Sequence, residues 1–425
     1  MFRSGAHSGY SRAMGLIRTH FDKLWLGELD PLDVSPFTPL MAWEEVADRV
    51  AFVSSFANAT AIATDDGLVL IDVGSFLLSA HVHSAVRTFS EARVSHVVYT
   101  HGHVDHVFGV ERFEAEAAAR GWRAPHVVAH EAVPDRFRRY ELSRGYNACI
   151  NARQFRTKLE WPGNYRYPDE TFADRHTLEV GGLRVELFHA RGETDDATWA
   201  FVPERRLLCT GDLFIWCSPN AGNPQKVQRF PREWARALRT MATLRATVLC
   251  PGHGVPIWGE DEVHEALSTT AELLESLHDQ TLTLMNEGAR LVDVIHAVKA
   301  PAHLVARPWL RPVYDQPEFI VRNLWRTYGG WWDGDPASLE PAPRAEVARE
   351  LAALAGGASK LASRATALVA QGELALACHL AELAALAAPT DEGIGRARRA
   401  VYAARAKAAT SLMAKGIYGG EAEPD

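Results

Sequence analysis

A chain of 425 residues is too long for one ordinary domain, so two are expected. Its 47% hydrophobic and 23% charged content is that of a globular protein, and a net charge of −8 argues against a general binder of nucleic acid or anionic membrane. No run of about 18 apolar residues occurs, so no membrane span is expected, and the first residues lack the continuous apolar core of a signal peptide. The five cysteines, at 149, 209, 217, 250 and 378, have no metal-ligand spacing and read as reduced, mostly core thiols of a cytoplasmic protein.

In chain order, Pro31, Pro36 and Pro39 make the first forty residues an irregular arm. Short strands follow from Trp43: Val50–Val53, Ala59–Thr64, and, after the turn Asp65-Asp66-Gly67, Leu68–Asp72. A helix over about 78–92 leads to the strand Val94–Tyr99. The pair His81-x-His83 falls on that helix, where residues two apart point in different directions, so it reads as surface. Then comes Thr100-His101-Gly102-His103-Val104-Asp105-His106, three histidines and an aspartate in one short turn at the carboxyl end of a strand. A helix or strand would scatter these donors, whereas a turn can converge them. Imidazole and carboxylate together suit zinc, iron or manganese.

A helix over 110–120 and a strand at His126–Ala129 come next, then an Arg-, Tyr- and Asn-rich insertion over 131–174, expected to be a long functional loop walling a substrate pocket. Strand patterns resume at Thr177–Val180, Leu183–His189, Ala197–Val202, Leu207–Thr210 and Thr247–Cys250, with a helix near 232–244. Glu193, Asp212 and His253 each follow one of these strands beside a glycine, which allows close approach of backbone and metal. An anionic substrate would need basic or amide donors, and Asn220, Asn223, Lys226 and Arg229 follow Asp212 closely. Trp331 and Trp332 read as core or interface anchors. From Ala345 to Ala414 the chain is Ala-, Leu-, Glu- and Arg-rich. Breaks at Gly356-Gly357, Gly372 and Pro389 predict about four helices in antiparallel pairs.

The set His-x-His-x-Asp-His, Glu193, Asp212 and His253 resembles the metallo-β-lactamase-fold hydrolases. Glu193, where most members carry histidine, resembles the zinc-dependent alkylsulfatase branch, although that branch usually has glutamate in the place of Asp212. Pro256-Ile257-Trp258-Gly259, the run from His278 to Gly288, and the stretch from Tyr328 to Pro336 are similar to that branch, giving a resemblance over about 43–417. It implies an α/β fold, an αββα sandwich followed by an all-α dimerisation domain. The implied division is an N-terminal arm at 1–42, a hydrolase domain at 43–275, a helical connection at 276–340 and the dimerisation domain at 341–425, without the lipid-binding-like domain that follows in full-length alkylsulfatases.

The same resemblance implies two divalent metal ions, zinc ahead of manganese or iron. His101, His103 and Glu193 would hold one, Asp105, His106 and His253 the other, with Asp212 between them. Asp105 and Asp212 would be the catalytic carboxylates, holding a metal-bridging hydroxide that attacks a sulfate ester. Arg229 matches the second arginine of the family's pair, while Pro224 or its neighbours stand at the first. Tyr314 lies in an Arg311-Pro312-Val313-Tyr314 run similar to the family's Arg-x-Tyr-Tyr, and Phe319-Ile320 replace a His-Asn pair. The expected partners are a small-molecule ester and a second copy of the chain. Hydrolysis of a phosphodiester, lactone or thioester, or a non-catalytic metal-binding dimer, are the alternatives.

Overall fold

Aliphatic and β-branched runs form two sheets in this computed structural model, which describes residues 15–158 and 160–423. The first sheet takes its strands in sequence order: β1 (Trp43–Ala47), β2 (Val50–Val53), β3 (Ala59–Thr64), β4 (Gly67–Ile71), β5 (Val94–Val98), β6 (His126–His130) and β7 (Glu170–Phe172). The first four pair antiparallel, as short turns allow, and β4 to β7 pair parallel. The parallel part requires crossovers, supplied by the helices Ser79–Phe89 and Val110–Arg120 between β4 and β6.

The second sheet runs β8 (Arg175–Val180), β9 (Leu183–His189), β10 (Thr198–Val202), β11 (Leu207–Ile215), β12 (Val248–His253) and β13 (Ile257–Trp258). It is antiparallel except for β11 on β12. Strands β3, β4, β10 and β11 are buried along their whole length, which explains why none shows a polar, solvent-facing alternation. Hydrogen bonds tie the sheets together: Arg205 donates to the carbonyls of Arg49 (3.1 Å) and Ala63 (2.8 Å), and the Thr198 amide donates to the Thr100 carbonyl (2.6 Å). This is the expected α/β architecture, a metallo-β-lactamase-type pair of sheets followed by helices.

Three local expectations are corrected. Within the supposed irregular arm, Leu16–Trp25 is a helix that buries Ile17, Phe21 and Leu24. Glu44 accepts from the amides of Ile17 (3.1 Å) and Arg18 (3.2 Å), capping the helix from a distant part of the sequence. The prolines that suggested an arm begin only at Pro31, after this helix ends, and residues 1–14 lie outside the described residues. The supposed loop over 131–174 contains the helices Val133–Leu142 and Arg144–Phe155 together with β7. Its first helix buries Val133, Arg136, Phe137 and Tyr140, and the arginine in that stripe hid the apolar period. Trp331 and Trp332 are 72% and 41% exposed, which excludes the core half of their reading and leaves the interface half.

The chain divides into two compact units. One comprises residues up to Arg144, Pro162–Thr283 and Val298–Thr327, and contains both sheets. The other comprises Gly145–Trp161, Leu284–Ala297 and the residues from Tyr328 onward. Its helices Arg344–Leu354, Ala358–Ala370, Leu374–Ala387 and Glu392–Ala408 follow the expected breaks, and Leu412–Ala422 adds a fifth. Their core is built on small residues: Ala365, Ala377, Ala381 and Ala384 are buried beside Leu361, Leu368, Ile394 and Val401. The fifth helix carries Gly416, Gly419 and Gly420, a composition that does not read as helix.

Gly416 explains how that helix packs, since a Cβ there would collide with the backbone carbonyls of Arg153 and Gln154. Two effects then oppose each other in Gly416→Ala. Helix propensity favours alanine by about 1 kcal/mol, whereas overpacking against backbone costs about 1–3 kcal/mol. The clash is with main chain and should win, so Gly416→Ala is expected to lower stability in urea unfolding. An increase would show that the two helices can move apart at little cost.

Candidate metal centre

The site is assembled at strand ends. Asp72, just beyond β4, has a positive φ of 57°, an uncommon conformation for a residue with a side chain. Its carboxylate accepts from the Thr100 amide (2.8 Å), the Thr100 hydroxyl (2.6 Å) and His106 Nδ1 (2.7 Å). Because a carboxylate only accepts, Nδ1 carries a proton, and Nε2 is the nitrogen that faces the other donors. The Gly102 amide donates to Asp196 (3.1 Å), whose carboxylate also takes Arg136 Nε (2.6 Å). A Cβ on Gly102 would stand 2.8 Å from Arg136 Cδ. On the opposite sheet, Asn58 donates to the carbonyls of Pro251 (3.1 Å) and Gly254 (3.0 Å), and His253 Nδ1 bonds the Phe56 carbonyl. Asp212 lies inside β11 rather than after it, and Gly252 packs against its carboxylate with no room for a Cβ.

All seven expected donors converge. His101 Nε2 lies 3.7 Å from Asp212, His103 Nδ1 3.9 Å from Glu193, and His106 Nε2 3.4 Å from Asp212 and 3.8 Å from Asp105. His253 Nε2 is 3.5 Å from both Asp105 and Asp212. Tetrahedral ligands about 2.0–2.2 Å from one zinc ion are themselves about 3.3–3.6 Å apart, so these separations are close to those of donors sharing an ion. Among the described residues three groups could each hold one: His101, His106 and Asp212; Asp105, His106 and His253; and His103, Glu193 and Asp212. His106 Nε2 and Asp212 Oδ1 are buried without a hydrogen-bond partner, a costly arrangement that a cation would relieve. The donor set therefore fits divalent cations.

Electrostatics prepare the donors. Burial, reinforced by His106, pushes His101 down to about 3. Burial and then His101 hold His103 well below its usual range. Both imidazoles are thus neutral at pH 7, the form that ligates. Burial opposes the charged form of Asp212, but His253 and His106 outweigh it and hold its carboxyl well below the usual range. Burial and Asp212 push Glu193 well above its usual range, against the pull of Arg229.

Arg229 is buried, with its guanidinium 3.3 Å from Glu193 and its backbone clamped by Asn323 through bonds of 3.3 and 3.0 Å. Asn220 is buried and donates to the same Glu193 oxygen. Asn223 accepts from the Gln225 amide (3.1 Å). Half-buried Lys226 is pushed down to about 8 by desolvation and then by Arg229, while Asp105 and Glu193 act in the opposite sense. Tyr314 packs on Phe37, with ring centroids 4.3 Å apart. Arg311 pairs with Asp30 (2.8 Å). His81 bonds the Ser54 carbonyl and His83 pairs with Glu116, each at 3.1 Å, and neither joins a metal-competent group. Sequence reasoning missed Asp72, Arg136, Asp196, Phe37 and Phe56. Of these only Asp72, a carboxylate just past a strand, carried a signal of the kind that marked the donors.

Comparison with known proteins agrees with this geometry. The metallo-beta-lactamase superfamily model matches residues 54–253, and the alkyl sulfatase dimerisation model matches residues 290–424. A linear primary-alkylsulfatase of Pseudomonas sp. (strain ATCC 19151) is 29% identical over 71% of this chain, and an (R)-specific secondary-alkylsulfatase of Pseudomonas sp. is 26% identical over 79%. This chain spans 61% and 55% of the lengths of those two relatives. The structure of a stereoselective inverting sec-alkylsulfatase from Pseudomonas sp. has the same fold, with a TM-score of 0.79 at 22% identity, over 90% of this chain and 65% of that one. The chain thus carries a metallo-β-lactamase superfamily domain followed by an alkyl sulfatase dimerisation domain.

Proposed function

We propose that the protein is a metal-dependent hydrolase of the alkylsulfatase type, which cleaves a sulfate ester to an alcohol and sulfate. One observation carries this reading: seven donors converge in one site, and the glutamate among them is backed by a buried arginine. His101, His103 and Glu193 would hold one divalent cation, Asp105, His106 and His253 the second, with Asp212 shared. Zinc suits this imidazole-rich set, with manganese or iron as substitutes. Bound there, the cations supply Lewis acidity toward the ester oxygens and lower the pKa of water toward neutrality. Asp105 and Asp212 orient the attacking water by accepting its hydrogen bonds. Lys226, Arg229 and the amides of Asn220 and Asn223 hold the anionic group.

A second reading, hydrolysis of another ester such as a phosphodiester, lactone or thioester, is favoured by two features. Arg229 already neutralises Glu193, and the family's His-Asn pair is replaced by Phe319-Ile320, whose backbone packs against Gly222.

Homodimer formation is part of the same proposal. Val347, Leu351 and Leu354, spaced four and three apart on the helix Arg344–Leu354, are 43%, 41% and 85% exposed and form one apolar stripe within the region matched by the dimerisation model. A cytoplasmic location fits five unpaired thiols. No helix among the described residues is long and apolar enough to cross a membrane.

Metal analysis should give close to two divalent ions per chain. Glu193→Ala should bring this toward one, and Gly252→Ala should also lower occupancy by displacing Asp212. A wild-type value of one that Glu193→Ala does not change would remove Glu193 from the ligand set. Assayed with zinc or manganese on alkyl sulfates, phosphodiesters and acyl thioesters, the protein should turn over an alkyl sulfate. Arg229→Ala should slow that reaction roughly ten- to hundredfold, the equivalent of about 1.5–3 kcal/mol for a charge-assisted bond. Unchanged turnover in that variant would favour the neutral esters. Light scattering should show a dimer that Leu351→Glu converts to monomer, and a Leu351→Glu dimer would place the interface elsewhere.

A further inference from the structure

The two ends of the donor cluster have different surroundings. Beside Glu193 stand Arg229 and Asn220, both suited to oxygen anions. Beside His253 stand aromatic rings: Phe37 with its centroid 4.7 Å from the imidazole, Phe56 at 5.4 Å, and Tyr314 packed on Phe37 at 4.3 Å. Phe37 and Phe56 are only half-buried, so both retain accessible apolar surface next to a metal donor.

Phe37 comes from outside the region matched by the metallo-beta-lactamase model. Its segment is held on both sides. Upstream, the helix Leu16–Trp25 is capped by Glu44, and Trp25 stacks on Trp309 at 4.4 Å and 9°. Asp30 then grips the Arg311 guanidinium through Nε (3.3 Å) and Nη2 (2.8 Å). Downstream, the Leu40 amide donates to the Ser54 hydroxyl (3.0 Å). Between these anchors Pro31, Pro36 and Pro39 restrict the backbone, so the strap presents Phe37 at little entropic cost.

A sulfate ester has an anionic end, which must meet cations and donors, and an organic end, which gains by leaving water. We propose that Phe37, with Phe56 and Tyr314, forms the wall that receives the apolar organic group of the ester, and that Phe37 sets the preference for its size. The sulfate end then points toward Arg229 and the organic end lies over His253. This inference rests on the hydrolase reading for its substrate but concerns binding, so it can be tested without turnover.

The test uses zinc-loaded full-length protein and a series of linear alkanesulfonates from ethane- to octanesulfonate, which carry the anionic head and the chain but no ester to cleave. Calorimetry should show affinity rising with chain length. Phe37→Ala should reduce the octane-to-ethane affinity ratio at least about tenfold, whereas Phe37→Leu, which keeps apolar volume, should hold it within about threefold of wild type. A wild type without length dependence, or one that binds no sulfonate, would overturn the wall. So would an unchanged ratio in Phe37→Ala. Equal weakening for all chain lengths together with metal loss would overturn it too, because Phe37 would then act by supporting His253. Length-dependent binding abolished by Phe37→Ala, in a protein that turns over no alkyl sulfate, would sustain the wall and reject the hydrolase reading.

Discussion

The buried carboxylate of Asp72 is the constraint on which the site depends. It takes three hydrogen bonds, two from Thr100 and one from His106, and so fastens the end of β4 to the loop after β5. Those bonds fix where the loop turns and which nitrogen His106 presents. They hold a left-handed backbone that by itself costs about 1–2 kcal/mol. The second sheet is then registered on the same loop. The Thr198 amide bonds the Thr100 carbonyl, Asp196 takes the Gly102 amide, and Gly211, at φ 50°, leaves room for the Thr100 side chain. Donors from both sheets therefore meet because the loop between them is fixed by buried polar contacts, each of which would be costly to leave unmade.

Where the sequence could be read, the information was local. His101, His103, Asp105 and His106 lie within one turn, and Glu193 and His253 sit beside glycines just after strand patterns or at their ends. The sheets were legible because fully buried strands such as β2 and β4 are continuous apolar runs. What could not be read depended on distant partners. Arg136 sits in the buried stripe of its helix and has meaning only beside Asp196, sixty residues on. The helix Leu16–Trp25 borrows its cap from Glu44, and the glycine-rich helix Leu412–Ala422 is explained by the carbonyls of Arg153 and Gln154. Phe37 had no signal at all, because its place over His253 comes from the anchors of its strap.

As the proposed ligand, Glu193 would have consequences beyond holding a cation. A carboxylate in the place of a neutral imidazole lowers the net charge of the site, which strengthens its hold on a hard cation and weakens that cation's Lewis acidity. Arg229 returns a positive charge at 3.3 Å, and its Nε is buried without a hydrogen-bond partner. The guanidinium is thus a fork with one arm on the ligand and one donor still to be satisfied, and an anionic substrate oxygen could satisfy it. In the proposed function, charge balance in the site and recognition of the substrate would then be properties of the same side chain.

The substitution of Phe319-Ile320 for the family's polar pair fits the same division of labour. Their backbone packs on Gly222, and Asp315 takes the Gly222 amide at 2.5 Å and the Gln316 amide at 2.8 Å. Burial pushes the Asp315 carboxyl up to about 7 despite those amides, so this aspartate is a structural pin for the segment from Asn220 to Arg229 rather than a strong surface anion. A polar pair at 319–320 could address a substrate directly. The apolar pair instead braces the backbone that carries Asn220, Lys226 and Arg229, which in the proposed function would leave recognition of the anion to that segment. Ile320 is fully buried and contributes through packing. In the proposed function the chemistry lost at one position would be recovered as rigidity at the neighbouring one, and a rigid anion-binding end would let the opposite, aromatic end discriminate by size.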